Sequence, residues 1–259
     1  MFRMKICRGF NGFSIFLLFV LSPLLIPSDH KIFASETTVP LEKLIERLKH
    51  PDSAHCWNAI YALGASGDKR AVLPLMEALE RDMTAHTGIA MAIIPALGEL
   101  GDDRAVPLLL KALNITDQEW LGREAAARAL GRIGSSQAVS GLMRASWLPE
   151  TRHAAIEALA RIKDPRAIPS LLSALGRSEE PAARQAAVEA LIDIGKPAVP
   201  ELIETLESSY PEDHARALAA GILGEIGDSR AVDPLRKARD DPSEVVRNSA
   251  EKALEFMSN

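Results

Sequence analysis

Cysteine is almost missing from this chain: Cys7 and Cys56 are the only two in 259 residues. With Cys7 in an N-terminal leader, Cys56 stands alone in the rest, so no internal disulfide can brace the fold and stability must come from packing. Aromatic residues make up 5% against 47% hydrophobic residues overall, and alanine and leucine supply most of the apolar surface. Small side chains of this kind suit close helix packing and argue against a large cofactor cavity. Basic excess is missing too, since the net charge is −5. An acidic chain without a basic stripe is a poor partner for nucleic acid. No segment alternates apolar and polar residues with period two, which leaves no strand and predicts an all-α fold.

A membrane-length apolar run is also lacking. The longest, Phe13 to Ile26, is fourteen residues and contains Pro23, whereas a span needs roughly twenty. Arg3, Lys5 and Arg8 precede it, and a polar stretch ending at Ala34 follows. That order is the pattern of a secretory signal peptide. The expected division is a leader over residues 1–34, cleaved near Ala34 or Ser35, and one repeat domain over 35–259. The chain is then periplasmic or extracellular; the alternative is a membrane anchor at residues 13–26. Cleavage leaves 26 bases against 34 acids, a net −8.

What is abundant is repetition. LGELGDDRAVPLLLKAL, from Leu97 to Leu113, has close copies starting at Leu63, Leu130, Leu159, Leu191 and Leu223, spaced 34, 33, 29, 32 and 32 residues apart. Periods of twenty to fifty residues mark arrays in which each unit buries its apolar face only against its neighbours.

Each unit divides into two helices. In REAAARALGRIG, Arg123 to Gly134, the apolar residues Ala126, Ala127, Leu130 and Ile133 recur at helical spacing and a glycine closes the run. Asp or Ser follows in most copies and can cap the next helix. A proline then falls within about the first turn, at Pro74, Pro107, Pro169, Pro200 and Pro234, where its missing N–H costs nothing. The proline-bearing A helices are predicted near 40–49, 71–81, 104–113, 137–146, 166–176, 197–208 and 230–239. The B helices are predicted near 53–65, 86–100, 120–133, 150–162, 181–194, 213–226 and 243–257. Seven residues before the aligned leucines stand Arg123, Arg152, Arg184, Arg216 and Arg247, with acids just upstream. These arginines read as a structural ladder tying repeats together through the A-to-B loops, ahead of a basic ladder for an anionic partner.

The pattern R-x-AA-x-x-AL followed by LG-x-[IL]-G-D-x-RAV-x-PL-x-x-AL resembles the HEAT repeat, in particular the short form named after the phycobilisome lyases. The resemblance covers roughly residues 39–257. It implies a right-handed α-solenoid of about seven HEAT-like helix pairs, with A helices on the convex side and B helices lining the concave side. Two departures point to irregular curvature: the fifth copy is one residue short at Gly195-Lys196-Pro197, and the second B helix holds Gly88 and Pro95.

Catalytic signatures are absent. The deoxyhypusine hydroxylases, similar in repeat form, bind metal through His-Glu dipeptides. None of His30, His50, His55, His86, His153 or His214 is followed by glutamate. There is no Gly-x-Ser-x-Gly turn, phosphate loop or dinucleotide fingerprint. The expectation is a protein that is not an enzyme and carries no metal or cofactor.

If B helices line the groove, the residues one and five places after the arginine position share the facing surface. Trp57, Tyr61 and Met91 then form an apolar patch in the first two units. Glu124, Arg128, His153, Glu157 and Glu189 form a polar stretch further on. Two readings stay open for the aromatics: an anchor for a peptide or protein partner, or a cap on the first repeat. The resulting expectation is an exported HEAT-repeat scaffold or adaptor that grips a protein partner by its concave face. The alternative is an accessory subunit or chaperone of an enzyme, similar to lyase-type or hydroxylase-type HEAT proteins.

Overall fold

The computed structural model describes residues 39–50, 54–85, 87–115, 122–176, 180–208 and 212–258. The leader read at residues 1–34 lies outside them. No helix among the described residues is long and apolar enough to cross a membrane.

Fourteen α-helices and no strand are found among these residues, in seven A/B pairs. The A helices are α1 (Leu41–Arg47), α3 (Val72–Ala85), α5 (Val106–Leu113), α7 (Val139–Ala145), α9 (Ile168–Leu175), α11 (Val199–Glu207) and α13 (Val232–Ala238). The B helices are α2 (Ala54–Ala65), α4 (Ala90–Leu100), α6 (Gly122–Ile133), α8 (Arg152–Ile162), α10 (Pro181–Ile194), α12 (Asp213–Ile226) and α14 (Glu244–Ser258). Each B helix packs on its own A helix and on the B helices before and after it. One core therefore runs the length of the array. Leu63, Leu97, Leu130, Leu159, Leu191 and Leu223 have no exposed surface at all, whereas the aligned Leu254 is half-buried because no repeat follows it.

Successive B helices lie far closer together than successive A helices, which barely touch. The B side is thus the inner, concave side of the curve. Glycine explains how the approach is possible. A Cβ built on Gly64, Gly98, Gly131 or Gly224 would stand 2.8, 2.9, 2.7 or 2.7 Å from an atom of Ala96, Ala129, Ala158 or Ala253 on the next B helix. Real Cβ atoms do not come so near, so these four glycines, each directly after a lead leucine, are packing residues.

The connection from B to the next A helix holds two devices. Glycine in the left-handed region ends the B helix, as at Gly101 (φ 60°) and Gly227 (φ 67°). A short 3-10 turn then precedes the A helix, so α5, α7, α9, α11 and α13 each begin two residues later than the sequence pattern predicts, and α3 one later. Asp68, Asp102, Asp164 and Asp228 cap that turn by accepting the N–H of the residue two places on. That residue is always an arginine, and its guanidinium grips the same carboxylate. In three of them the Nη2 that bonds the carboxylate also donates back to the previous repeat: Arg104 to the Lys69 carbonyl at 3.0 Å, Arg166 to that of Ser136 at 2.9 Å and Arg230 to that of Lys196 at 3.1 Å. In these three turns the D-x-R is a staple between neighbours; the turns at Ser135 and Gly195 lack it.

The arginine hydrogen bonds, above all, lower the carboxyl pKa of Asp102 and Asp228 to about 2. A carboxylate whose pKa is depressed by folding stabilises the native state above its ordinary range and loses that contribution as pH falls through the depressed value. We therefore expect the thermal midpoint to drop as pH is lowered from about 4 to about 2. The double variant Asp102→Asn, Asp228→Asn should flatten that part of the profile, as followed by circular dichroism. An unchanged slope in the variant would remove the staples from the acid response.

The second B helix departs from its predicted span of 86–100 and starts only at Ala90. Buried Asp82, on α3, sets this start. Its carboxylate accepts from the Ala90 N–H at 2.8 Å, the Thr87 N–H at 2.9 Å and the Thr87 hydroxyl. Gly88, at φ 87°, makes the turn. α4 then runs unbroken through Pro95.

Candidate functional site

The B helices present one row of side chains after another along the inner wall. In the first two repeats Trp57 and Met91 are half-buried, Trp57 packed against the core, and Pro95 is half-buried beside them in register. Tyr61 stands out, 42% exposed. Partial burial raises its phenol pKa above the ordinary value. This end of the wall is an apolar patch with a hydroxyl on it. Trp57 is shared between that patch and the core beneath it.

Beyond it the wall turns polar and the polar groups pair along each helix. Glu124 and Arg128 on α6 meet at 2.7 Å, His153 and Glu157 on α8 at 3.3 Å, and the Gln185 amide donates to Glu189 on α10 at 2.9 Å. All three pairs are spaced four residues apart, the distance of one helical turn. Two further contacts cross between helices: Arg132 to Glu99 at 3.7 Å and Lys163 to Asp193 at 2.5 Å. Exposed pairs of this kind add only about 0.3–0.5 kcal/mol each to stability. Their effect is to hold charge in fixed places on a surface the fold does not require.

The wall narrows in side-chain size at the sixth repeat, where Ala217 and Gly221 occupy the same two rows and a Cβ on Gly221 would meet nothing within 4 Å. Among the described residues no group of three or more His, Cys, Asp or Glu is placed to hold a metal ion.

The ladder arginines lie at the other end of the B helices, against the A-to-B loops. Arg152 reaches the Glu180 carboxylate at 3.4 Å and the Trp147 carbonyl at 3.5 Å. Arg216 is buried and bridges Asp213, at 2.5 Å, and Asp241 of the following loop. The Asp241 hydrogen bond is the main reason its pKa is raised, and the same arginine lowers that of Asp213. Arg247 donates to the carbonyls of Asp241 and Pro242 at 2.7 and 2.9 Å. Arg123 and Arg184 are half-buried at the equivalent positions.

Sequence reasoning missed three features. The arginine of R-A-V is the inter-repeat staple, and the recurring D-x-R spacing was the available signal. The glycine after the lead leucine sets helix spacing, and its recurrence was the signal. Trp147 and Leu148, 61% and 45% exposed on the α7–α8 loop, carry no periodic mark.

The match to known families follows this geometry. HEAT repeats match residues 84–147, 142–213 and 177–255, and the PBS lyase HEAT-like repeat matches residues 56–81. The chain belongs to the HEAT-repeat family. Within that family it is similar to phycocyanobilin lyase subunit beta of Thermosynechococcus vestitus, 40% identical over 112 residues, 42% of this chain and 50% of the relative. It is 38% identical over 105 residues to phycocyanin alpha phycocyanobilin lyase CpcF of Synechocystis sp., 40% of this chain and 47% of the relative. The chain thus spans about half the length of the curated relatives it matches. Among solved structures, the complex of CpcE and CpcF of phycocyanin lyase from Nostoc sp. PCC7120 aligns at a TM-score of 0.50 and 27% identity, covering 83% of this chain and 87% of that one.

These relatives overturn the expectation of a HEAT protein that is not an enzyme. Missing His-Glu pairs, nucleophile turns and phosphate loops exclude only the reactions that need them. Relatives named as lyase subunits fall outside that exclusion.

Proposed function

We propose that this HEAT protein is a subunit of a lyase-type enzyme, and that its inner wall holds the enzyme's protein client. The observation that carries the reading is the 40% identity to a phycocyanobilin lyase subunit. The wall is consistent with it: an exposed tyrosine beside Trp57 and Met91 offers the aromatic contact on which interfaces depend, and the paired charges on α6, α8 and α10 offer orientation. Phycocyanobilin, named in the relatives, is the first chromophore to try. The signal-peptide pattern before Ala34 supports export of the protein.

Native protein crosslinked in its own cells, recovered and read by mass spectrometry identifies the client, and an absorbance spectrum reports any chromophore carried with it. The intact mass should begin near Ala34 or Ser35; a mass beginning at Met1 removes export. Full-chain variants Tyr61→Ala and Arg128→Ala should each weaken capture of that client about tenfold or more. Their thermal midpoints should stay within about 2 °C of the parent, because neither side chain is in the core. Capture unchanged in both variants would end the assignment of the client to the inner wall.

A further inference from the structure

The solenoid is not equally tight along its length, and the slack has a chemical cause. In four of the six junctions the residue after the lead leucine is glycine and packs on the alanine that precedes the next lead leucine, as Gly224 does on Ala253. At the junction of α8 and α10 the glycine is replaced by Ala160. At the junction of α10 and α12 both partners change: Ile192 takes the glycine place, and Ile222 takes the alanine place opposite in register. The closeness of the B helices follows this series. It is greatest at α12–α14, intermediate at α8–α10 and least at α10–α12.

The same junction lacks the other fastening. The one-residue deletion puts Gly195 and Pro197 where four of the other five turns have the capping aspartate and its arginine; the remaining one, Ser135 to Gln137, lacks them too but keeps the glycine contact of Gly131 on Ala158. Gly195 adopts φ 71°, ψ −132°, and no side chain caps the turn. Pro197 has no guanidinium to reach back to the fourth-to-fifth turn. On the far side everything is bound tightly: Arg230 reaches the Lys196 carbonyl, Arg216 links Asp213 to Asp241, and Lys237 meets Glu207 at 3.2 Å. The outer helices α9 and α11 still touch as other A helices do.

We propose that the α10–α12 junction is a hinge, about which helices α11 to α14 turn as one block against helices α1 to α10. Contact persists on the outer side and is thin on the inner side, so the turn opens and closes the concave groove. Two branched side chains in the contact places hold the backbones apart and leave a junction that shifts at low cost; a glycine seated on an alanine backbone does not. The hinge sets the distance between the polar wall of α6 and α8 and the surface of α14. This inference does not depend on what the groove holds.

Spin labels on exposed sites of the full chain test it, with Cys7→Ser removing a competing thiol and buried Cys56 left in place. Ser140→Cys with Lys252→Cys spans the junction and two others. Lys43→Cys with Ser140→Cys spans three junctions that all have the glycine contact. The first distance distribution should be about twice as wide as the second. Equal widths would overturn the hinge. Ile192→Gly with Ile222→Ala restores the glycine-on-alanine contact and should narrow the first distribution towards the second, and Ile192→Ala alone should narrow it part-way. No narrowing in either variant would overturn the placement of the hinge at this pair.

Discussion

Leu130→Ala should cost about 2–5 kcal/mol in urea unfolding, the largest loss expected from any single truncation in the array. Leu130 has no exposed surface and lies on α6, which is packed between α4, α5 and α8. Removing three carbons there leaves a void that rigid neighbouring helices cannot close, so the lost transfer energy and the cavity both count. Because each repeat leans only on its neighbours, the damage should be greatest in the second to fourth repeats. Hydrogen exchange of α4, α6 and α8 reads this directly. Leu148→Ala, at a residue 45% exposed, should stay within about half a kcal/mol of the parent. A loss below about half a kcal/mol at Leu130 itself would mean the core has been misplaced.

Gly131→Ala and Gly221→Ala are the same substitution in two B helices, and they should have opposite signs. In a helix interior, alanine for glycine ordinarily stabilises by about 0.5–1 kcal/mol, because glycine has more backbone freedom to lose. Gly221 meets nothing within 4 Å and should show that gain. At Gly131 the new carbon would stand 2.7 Å from the Ala158 Cα, a backbone atom that has no rotamer by which to move aside. The helices α6 and α8 must separate instead, which should turn the gain into a loss of about 1–3 kcal/mol. Thermal unfolding of both variants is sufficient. A Gly131→Ala protein more stable than its parent would show that the B helices are not held at glycine distance.

Much of this fold is legible in the sequence because its rules are local. Apolar spacing and a closing glycine set α10 at 181–194 and α12 at 213–226 as predicted. The B helix predicted at 86–100 failed for a non-local reason: its start is decided by Asp82 across a turn, not by anything in the stretch itself. The staple arginines were hidden for the same reason. Arg104 and the Lys69 carbonyl are 35 residues apart, and only stacking brings them together. The inner wall could be listed from periodicity, since Trp57, Tyr61, Glu124 and Arg128 follow from a register. The pairing of Glu124 with Arg128 is legible too, being one turn long. What the wall holds is not, because a surface freed from packing is constrained only by its partner, and a partner leaves no period.

The direction of the staples bears on how the molecule is made. Arg104, Arg166 and Arg230 each reach toward the N-terminus, to a carbonyl some thirty residues earlier. On a ribosome that acceptor has already emerged when the arginine is added. Each unit that carries such an acceptor can therefore be latched by the one synthesised after it, without waiting for the end of the chain. The exceptions fall at Gln137 and Pro197, which stand in the arginine's place, and at Pro197 the glycine contact between inner helices is missing as well.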